Sequence, residues 1–148
     1  MNLIFRKIEE NNSKDISQFN ELMADLLAPA EDIELLKKNI DKANSYENYY
    51  LMGVEDVDNG RLCATMLAVV IDDFCGSCAP IMLVENVVTH HDYQQKGIGK
   101  RMFQEMENWG RSKGVNYALL CSDMEREGAH EFYRAIGCKE VKGFKRYL

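Results

Sequence analysis

No apolar run in this sequence is long enough to cross a bilayer as a helix. The longest with few charges, Leu62 to Ile71, is about half of the ~20 residues required. Proline is scarce, with two residues, and no segment is a repeat, a linker or of low complexity, so neither a disordered tail nor a collagen-like fibre fits. Positive charge is not in excess. Eighteen basic against 24 acidic side chains give a net charge of −6, which lacks the basic footprint of a nucleic-acid binder and suits a cationic small substrate. The five cysteines are an odd number for a disulfide framework. Cys63, Cys121 and Cys138 fall within or beside apolar runs and are expected to be reduced core thiols. Met1 to Arg6 lacks the basic region and long apolar stretch of a signal peptide, so a complete cytoplasmic protein with no membrane association is expected.

What remains is a 148-residue chain, 46% hydrophobic, whose length corresponds to one domain over residues 1–148 at ~100–200 residues per domain. Leu3 to Ile8 reads as a first strand. Ile16, Phe19, Met23 and Leu26 then recur at helical spacing, with Ser13 or Asp15 to cap the start and Pro29 to close the helix. A second helix carries Ile33, Leu36 and Ile40 on one face, with Glu31 and Asp32 in its first turn. Tyr49 to Val54 and Leu62 to Ile71 flank the hairpin signal Asp58-Asn59-Gly60, and Ile81 to Thr89 follows as a third strand of an antiparallel meander. Ile98, Met102, Met106 and Trp109 mark one face of a long helix that stops near Gly114. Tyr117 to Cys121 is a short strand, Ala129 to Ile136 a further helix closed by Gly137, and Val141 to Leu148 a last strand. The order β-α-α-β-β-β-α-β-α-β describes a mixed α/β (α+β) fold, mostly antiparallel with flanking helices.

The most informative stretch runs from Val87 to Arg101. A strand ends, a polar turn follows, and Gly97 and Gly99 stand where a helix begins. Glycine lets a ligand approach the backbone, and the helix N-terminus offers free N–H groups and the positive end of its dipole. Lys96, Lys100 and Arg101 add positive charge, which makes an anion site best suited to phosphate. The glycine spacing fits neither a Walker A loop nor the dinucleotide fingerprint. Two such glycines also serve a plain strand-to-helix turn with solvated lysines.

Gln94-x-x-Gly97-x-Gly99 resembles the Gln/Arg-x-x-Gly-x-Gly/Ala signature of the GNAT superfamily of N-acetyltransferases, and it follows the strand Glu85-Asn86-Val87-Val88-Thr89. Downstream, Ala129-His130-Glu131-Phe132-Tyr133-Arg134-Ala135-Ile136-Gly137 is similar to the second signature of that superfamily, Ala-x-x-Phe-Tyr-x-x-x-Gly-Phe. The resemblance implies the GNAT fold and transfer of the acetyl group of acetyl-CoA to a primary amine of a small molecule or peptide. It assigns the pantetheine arm to the backbone of Val87, Val88 and Thr89. The pyrophosphate falls to Gln94, Gln95, Lys96, Gly97, Ile98, Gly99 and Lys100. Arg126 stands where many members carry Asn beside the cofactor, and Cys138 replaces the usual Phe, a change of packing.

The same resemblance makes Tyr133 the acid that protonates the departing thiolate, although the helical stripe of Ala129, Phe132 and Ile136 also accommodates it as a packed aromatic. Glu85 stands where related enzymes carry a catalytic base, or else is a strand-edge carboxylate in a salt bridge. Asn86 is placed to face the acceptor, and Met102 and Met106 belong to the core. No cysteine has a nucleophile–base arrangement, so direct transfer without a covalent enzyme intermediate is expected. His90-His91 with Cys75-x-x-Cys78 lacks the supporting logic of a zinc site, and no metal is expected. The first two helices and the loop Asp72 to Ala79 are expected to shape the acceptor pocket. A homodimer is compatible with the superfamily. Two other classes fit some of the same residues: a non-catalytic acyl-CoA-binding module, indifferent to Glu85 and Tyr133, and a thiol redox protein using Cys75 and Cys78.

Overall fold

The computed structural model describes residues 1–148. The three apolar runs of the middle of the chain become the centre of one sheet. Strands β2 (Tyr49–Asp56) and β3 (Arg61–Ile71) form a hairpin. At its turn Gly60 adopts φ +66° and donates its N–H to the Asp56 carbonyl at 2.7 Å. Strand β4 (Ile81–Thr89) returns along β3, and β1 (Leu3–Lys7) covers the other edge of β2. The short β5 (Ala118–Leu120) joins β4 in parallel, giving the order β1-β2-β3-β4-β5 with every other pair antiparallel.

Successive residues of a strand point to opposite faces, and here both faces are covered. Helices α1 (Ser13–Leu26) and α2 (Ile33–Ser45) bury Ile16, Phe19, Leu22 and Ile40 with Ile8, Leu51 and Leu62. Helix α3 (Ile98–Ser112) buries Ile98, Met102, Phe103 and Met106 with Met52, Val54, Met66 and Met82 on the other face. Helix α4 (Glu127–Ala135) adds Phe132 and Tyr133 at the margin of that second core.

Several local expectations are corrected. Asn12 caps α1, its Oδ1 accepting the N–H groups of Lys14 and Asp15 at 3.0 and 3.3 Å, in place of Ser13 or Asp15. Asp15 is thereby left to receive a two-pronged hydrogen bond from Arg6 at 2.6 and 2.7 Å. Asp32 is the cap of α2 rather than a first-turn residue, accepting from Leu35 N–H at 3.0 Å. The strand expected at Val141–Leu148 does not form. A strand needs a partner edge and a buried face, and every residue of this segment is exposed. All five cysteines are free thiols, but only Cys63 is in the core; Cys121, just past the short β5, and Cys138, just past α4, are exposed. At the end of α4, Gly137 takes φ +95° as expected, and a Schellman motif closes with Gly137 N–H on Arg134 and Cys138 N–H on Tyr133.

Candidate active site

The centre of the sheet is interrupted at one place. Thr65 stands opposite Val88 and Leu67 opposite Glu85, so two residues of β4, Asn86 and Val87, face the single Met66. Asn86 takes φ +52°, a left-handed conformation that Asn tolerates better than most side chains. Such a bulge bends its strand and re-aims the side chains beside it. Strand β5 pairs with β4 only from Met82 to Val84. Beyond Val84 the outer edge of β4 has no strand partner, and a cavity of about 370 Å³ opens where the two strands part.

Glu85, Asn86 and Val87 form one wall of this cavity, and the chain beyond β5 from Cys121 to Asp123 forms another. Arg126, the N-cap of α4, and Tyr133 within that helix close the third side. The Tyr133 ring is half-buried, edge-on to Phe103 at 5.9 Å and tilted against Phe132 at 5.5 Å. Burial pushes its phenol above the ordinary tyrosine value; the Arg126 charge pulls it down, while Cys138 and Glu85 push it up. Glu85 is exposed at the cavity wall and makes no ion pair.

From the cavity, β4 runs through a single 3-10 turn (His91–Tyr93) into the glycine loop. Gln95 and Gly97 both adopt positive φ, +59° and +76°, and Gly97 caps α3 with no side-chain acceptor. The six consecutive N–H groups from Gln95 to Lys100 consequently donate to nothing in the chain. Gln94 ties the loop to the strand end, its Nε2 donating to the Thr89 carbonyl at 3.3 Å. Lys96, though exposed, folds back on the turn, its Nζ donating to the Asp92 carbonyl at 2.7 Å and lying 4.9 Å from the Tyr93 ring centre. Beneath the loop, Tyr93 Oη donates to Asp56 Oδ2 at 3.2 Å and accepts from Asn59 Nδ2 at 2.8 Å.

Of the residues singled out in the sequence, Glu85, Val87, Arg126 and Tyr133 meet at the cavity, with Asn86. Thr89 and the Gln94–Lys100 loop lie further along the same strand, four residues or ~13 Å from Glu85 to Thr89 at ~3.3 Å per residue. Val88 points to the α1–α2 face instead and is buried there. A further wall comes from the end of α1, at Leu26, Leu27 and Ala28, whereas neither α2 nor the loop Asp72 to Ala79, both expected to shape the acceptor pocket, reaches the cavity. Lys145, from the irregular C-terminal segment, also lines it. Nothing in the sequence pointed to Lys145, because its place depends on the path the chain takes after α4.

With this arrangement established, comparison with known proteins is decisive. The model of the acetyltransferase (GNAT) family matches residues 16–138. The chain belongs to that family. The "Uncharacterized N-acetyltransferase YhdJ" of Bacillus subtilis (strain 168) is 26% identical over 103 residues, 69% of each chain. Among solved structures, glucosamine-6-phosphate N-acetyltransferase from Arabidopsis thaliana superposes with a TM-score of 0.84 at 20% identity, over 100% of this chain and 99% of that one. AAC(6')-Iy in complex with the bisubstrate analog CoA-S-monomethyl-acetylneamine gives 0.81 at 15% identity, over 100% and 98%. At these identities the structural likeness shows the fold.

The other clusters of this acetyltransferase lie apart from the cavity. Cys75 and Cys78 sit in an exposed turn closed by Cys78 N–H on the Cys75 carbonyl at 2.9 Å. His90 and His91 stack at 4.0 Å beside Asp25, in a group whose ligand atoms fall within 4.8 Å of one another. Arg61 Nη2 lies 2.8 Å from His90 Nε2, so a guanidinium already contacts this histidine. The hydrogen bond with Asp25 raises the His91 imidazole, and its counterpart lowers the Asp25 carboxyl. No helix is long and apolar enough to cross a membrane.

Proposed function

We propose that this GNAT acetyltransferase, acting as one domain, moves the acetyl group of acetyl-CoA directly to a primary amine of a small molecule or peptide. The carrying observation is the convergence of Glu85 and Tyr133 on one cavity at the parted edge of β4, with six unengaged N–H groups at the far end of the same strand. The fit to the cofactor rests on those features. The unpaired edge of Val87, Val88 and Thr89 suits an extended amide-bearing arm, in the manner of an added strand. The Gln95–Lys100 amides, with Gln94 fixing the loop and Lys100 beside it, suit a pyrophosphate at the start of α3. Arg126 adds a positive charge at the cavity end. When bound, acetyl-CoA supplies the activated thioester.

The chain's own task is proton management. An alkyl amine with pKa ~10.4 is mostly protonated near neutral pH, and freeing its lone pair costs ~4.6 kcal/mol, from ~3.4 units at ~1.36 kcal/mol each. Glu85, exposed on the cavity wall, accepts that proton directly or through water. Tyr133 donates its phenolic proton to the departing sulfur. Its raised phenol keeps that proton in place until it is needed. No metal and no covalent enzyme intermediate enter this scheme.

The test has two readouts. Acetyl-CoA at about 100 times its dissociation constant should stabilise the fold by ~2.7 kcal/mol, and ATP should not. Tyr133→Phe should lower turnover at least about tenfold, the lower range for a general acid, with acetyl-CoA affinity retained. Equal turnover would remove Tyr133 from the mechanism, and the absence of a shift with acetyl-CoA would remove the cofactor assignment.

A further inference from the structure

Four ionised side chains line the cavity: Glu85, Asp123, Arg126 and Lys145. None is ion-paired, with one another or with any other charge. Elsewhere this chain closes such neighbours on each other, as in Arg6 with Asp15 and Glu55 or Arg61 with Glu21. Here both signs face one space and stay apart. Ser122, between Cys121 and Asp123 on the same wall, has a buried Oγ without a hydrogen-bond partner. The cavity therefore offers separate stations for a cation and an anion, and an orphaned hydroxyl beside them.

A ligand that enters displaces the water that solvates these charges, and a desolvated charge left without a partner is costly. A simple amine would answer Glu85 and Asp123 and leave Lys145 and Arg126 bare. A simple anion would do the reverse. Only a molecule carrying both groups satisfies both sides, and the unpaired charges then act against every ligand that lacks one of them.

We propose that the acceptor is a small zwitterionic amine, its amino group beside Glu85 and a carboxylate or phosphate held by Lys145 with Arg126. This rests on the acetyl-transfer reading, and it fixes the chemical class of that reaction's second substrate. Lys145 is the specificity-determining residue, because Arg126 also serves the cofactor in that reading, whereas the only other engagement of Lys145 is with the neighbouring Tyr147 ring, 5.2 Å from its Nζ.

Calorimetric binding with matched probes tests this without requiring turnover. Lysine against lysinamide isolates a carboxylate, and glucosamine 6-phosphate against glucosamine isolates a phosphate. In at least one pair the anionic member should bind about tenfold or more tightly than its neutral partner, the scale of a hydrogen bond to a charged group. Lys145→Gln should erase that difference, the loss falling on the anionic member. Lys145 is exposed at the end of the chain, so the variant folds. Equal binding within both pairs overturns the proposal, as does a Lys145→Gln loss shared equally by neutral and anionic members. A protein that acetylates no amine yet keeps the Lys145-dependent contrast would overturn the acetyl-transfer reading, and with it the word acceptor, while the cavity would still stand as a site for a small zwitterionic amine.

Discussion

Gly99 of α3 and Phe132 of α4 are in contact: a Cβ placed on Gly99 would stand 3.0 Å from Phe132 Cζ. The two residues belong to the two sequence motifs, one at the phosphate-type loop and one beside Tyr133. Gly99, in the first turn of α3, is therefore also the seat of the aromatic ring that packs against the phenol.

That contact makes the motifs energetically coupled. Gly99→Ala gains up to about 0.8–1.0 kcal/mol of helix propensity, but the methyl must displace the Phe132 ring, which packs against Tyr133 at 5.5 Å. We expect Gly99→Ala to reduce turnover, and expect Phe132→Leu to relieve the crowding. A double-mutant cycle of kcat and urea stability should show a coupling of about 0.5–3 kcal/mol, the range for residues in contact. Additive effects would mean that the ring does not transmit the change.

The pH profile of turnover follows from the surroundings of Tyr133. Burial raises its phenol, so the protonated form persists on the alkaline side of the ordinary value of ~10. If Tyr133 supplies the proton, its deprotonation imposes no loss of kcat until pH passes above that value. Tyr133→Phe should flatten this alkaline limb. A limb that Tyr133→Phe leaves in place would assign it to another group.

Most of the sheet was legible because its signals are local. Asp58-Asn59-Gly60 encodes its own hairpin, and the Met102–Met106 spacing encodes the buried face of α3. The family resemblance pointed to Tyr133 through its motif and to Glu85 through its place on the strand before the other motif, and both line the cavity. The bulge at Asn86 was not legible, since it is a mismatch of register between β3 and β4 that neither strand carries alone. The walls from α1 and from Lys145 were equally hidden, because they depend on where two distant segments end up. The strand expected at Val141–Leu148 is absent for the same reason: only a partner edge turns such a segment into a strand, and none is available to it.

Stability toward acid should depend on Asp15. Its burial pushes the carboxyl up, but the Arg6 hydrogen bonds, the Glu9 N–H and the Arg6 charge outweigh that and hold it below the usual carboxylate range. A depressed folded-state value stabilises above the unfolded pKa of ~3.9, and the contribution is lost as pH falls through the folded value. Asp15→Ala leaves Arg6 with Glu55 as its remaining carboxylate partner. We expect a loss of about 1–3 kcal/mol near neutral pH. Urea melts of both proteins at neutral and acid pH should converge as the wild type surrenders the contribution. A constant gap down to the acid end would show that the Asp15 charge is not its source.

The buried Tyr93–Asp56 pair ties the hairpin turn to the loop in front of α3. Both side chains are nearly inaccessible, at 8% and 6% exposure, and Asn59 completes the network by donating to Tyr93 Oη. Tyr93→Phe removes the hydroxyl yet keeps the ring under Lys96. Asp56 then keeps only two long contacts, the Asp58 N–H at 3.3 Å and Asn59 Nδ2 at 3.4 Å. A lost partner of this kind costs about 1–3 kcal/mol. Because the free amides from Gln95 to Lys100 begin two residues after Tyr93, part of that cost should reach the loop. We expect acetyl-CoA to bind severalfold more weakly while kcat at saturation stays close to wild type. A fall in kcat with unchanged acetyl-CoA affinity would instead place the influence of Tyr93 at the cavity, away from the loop.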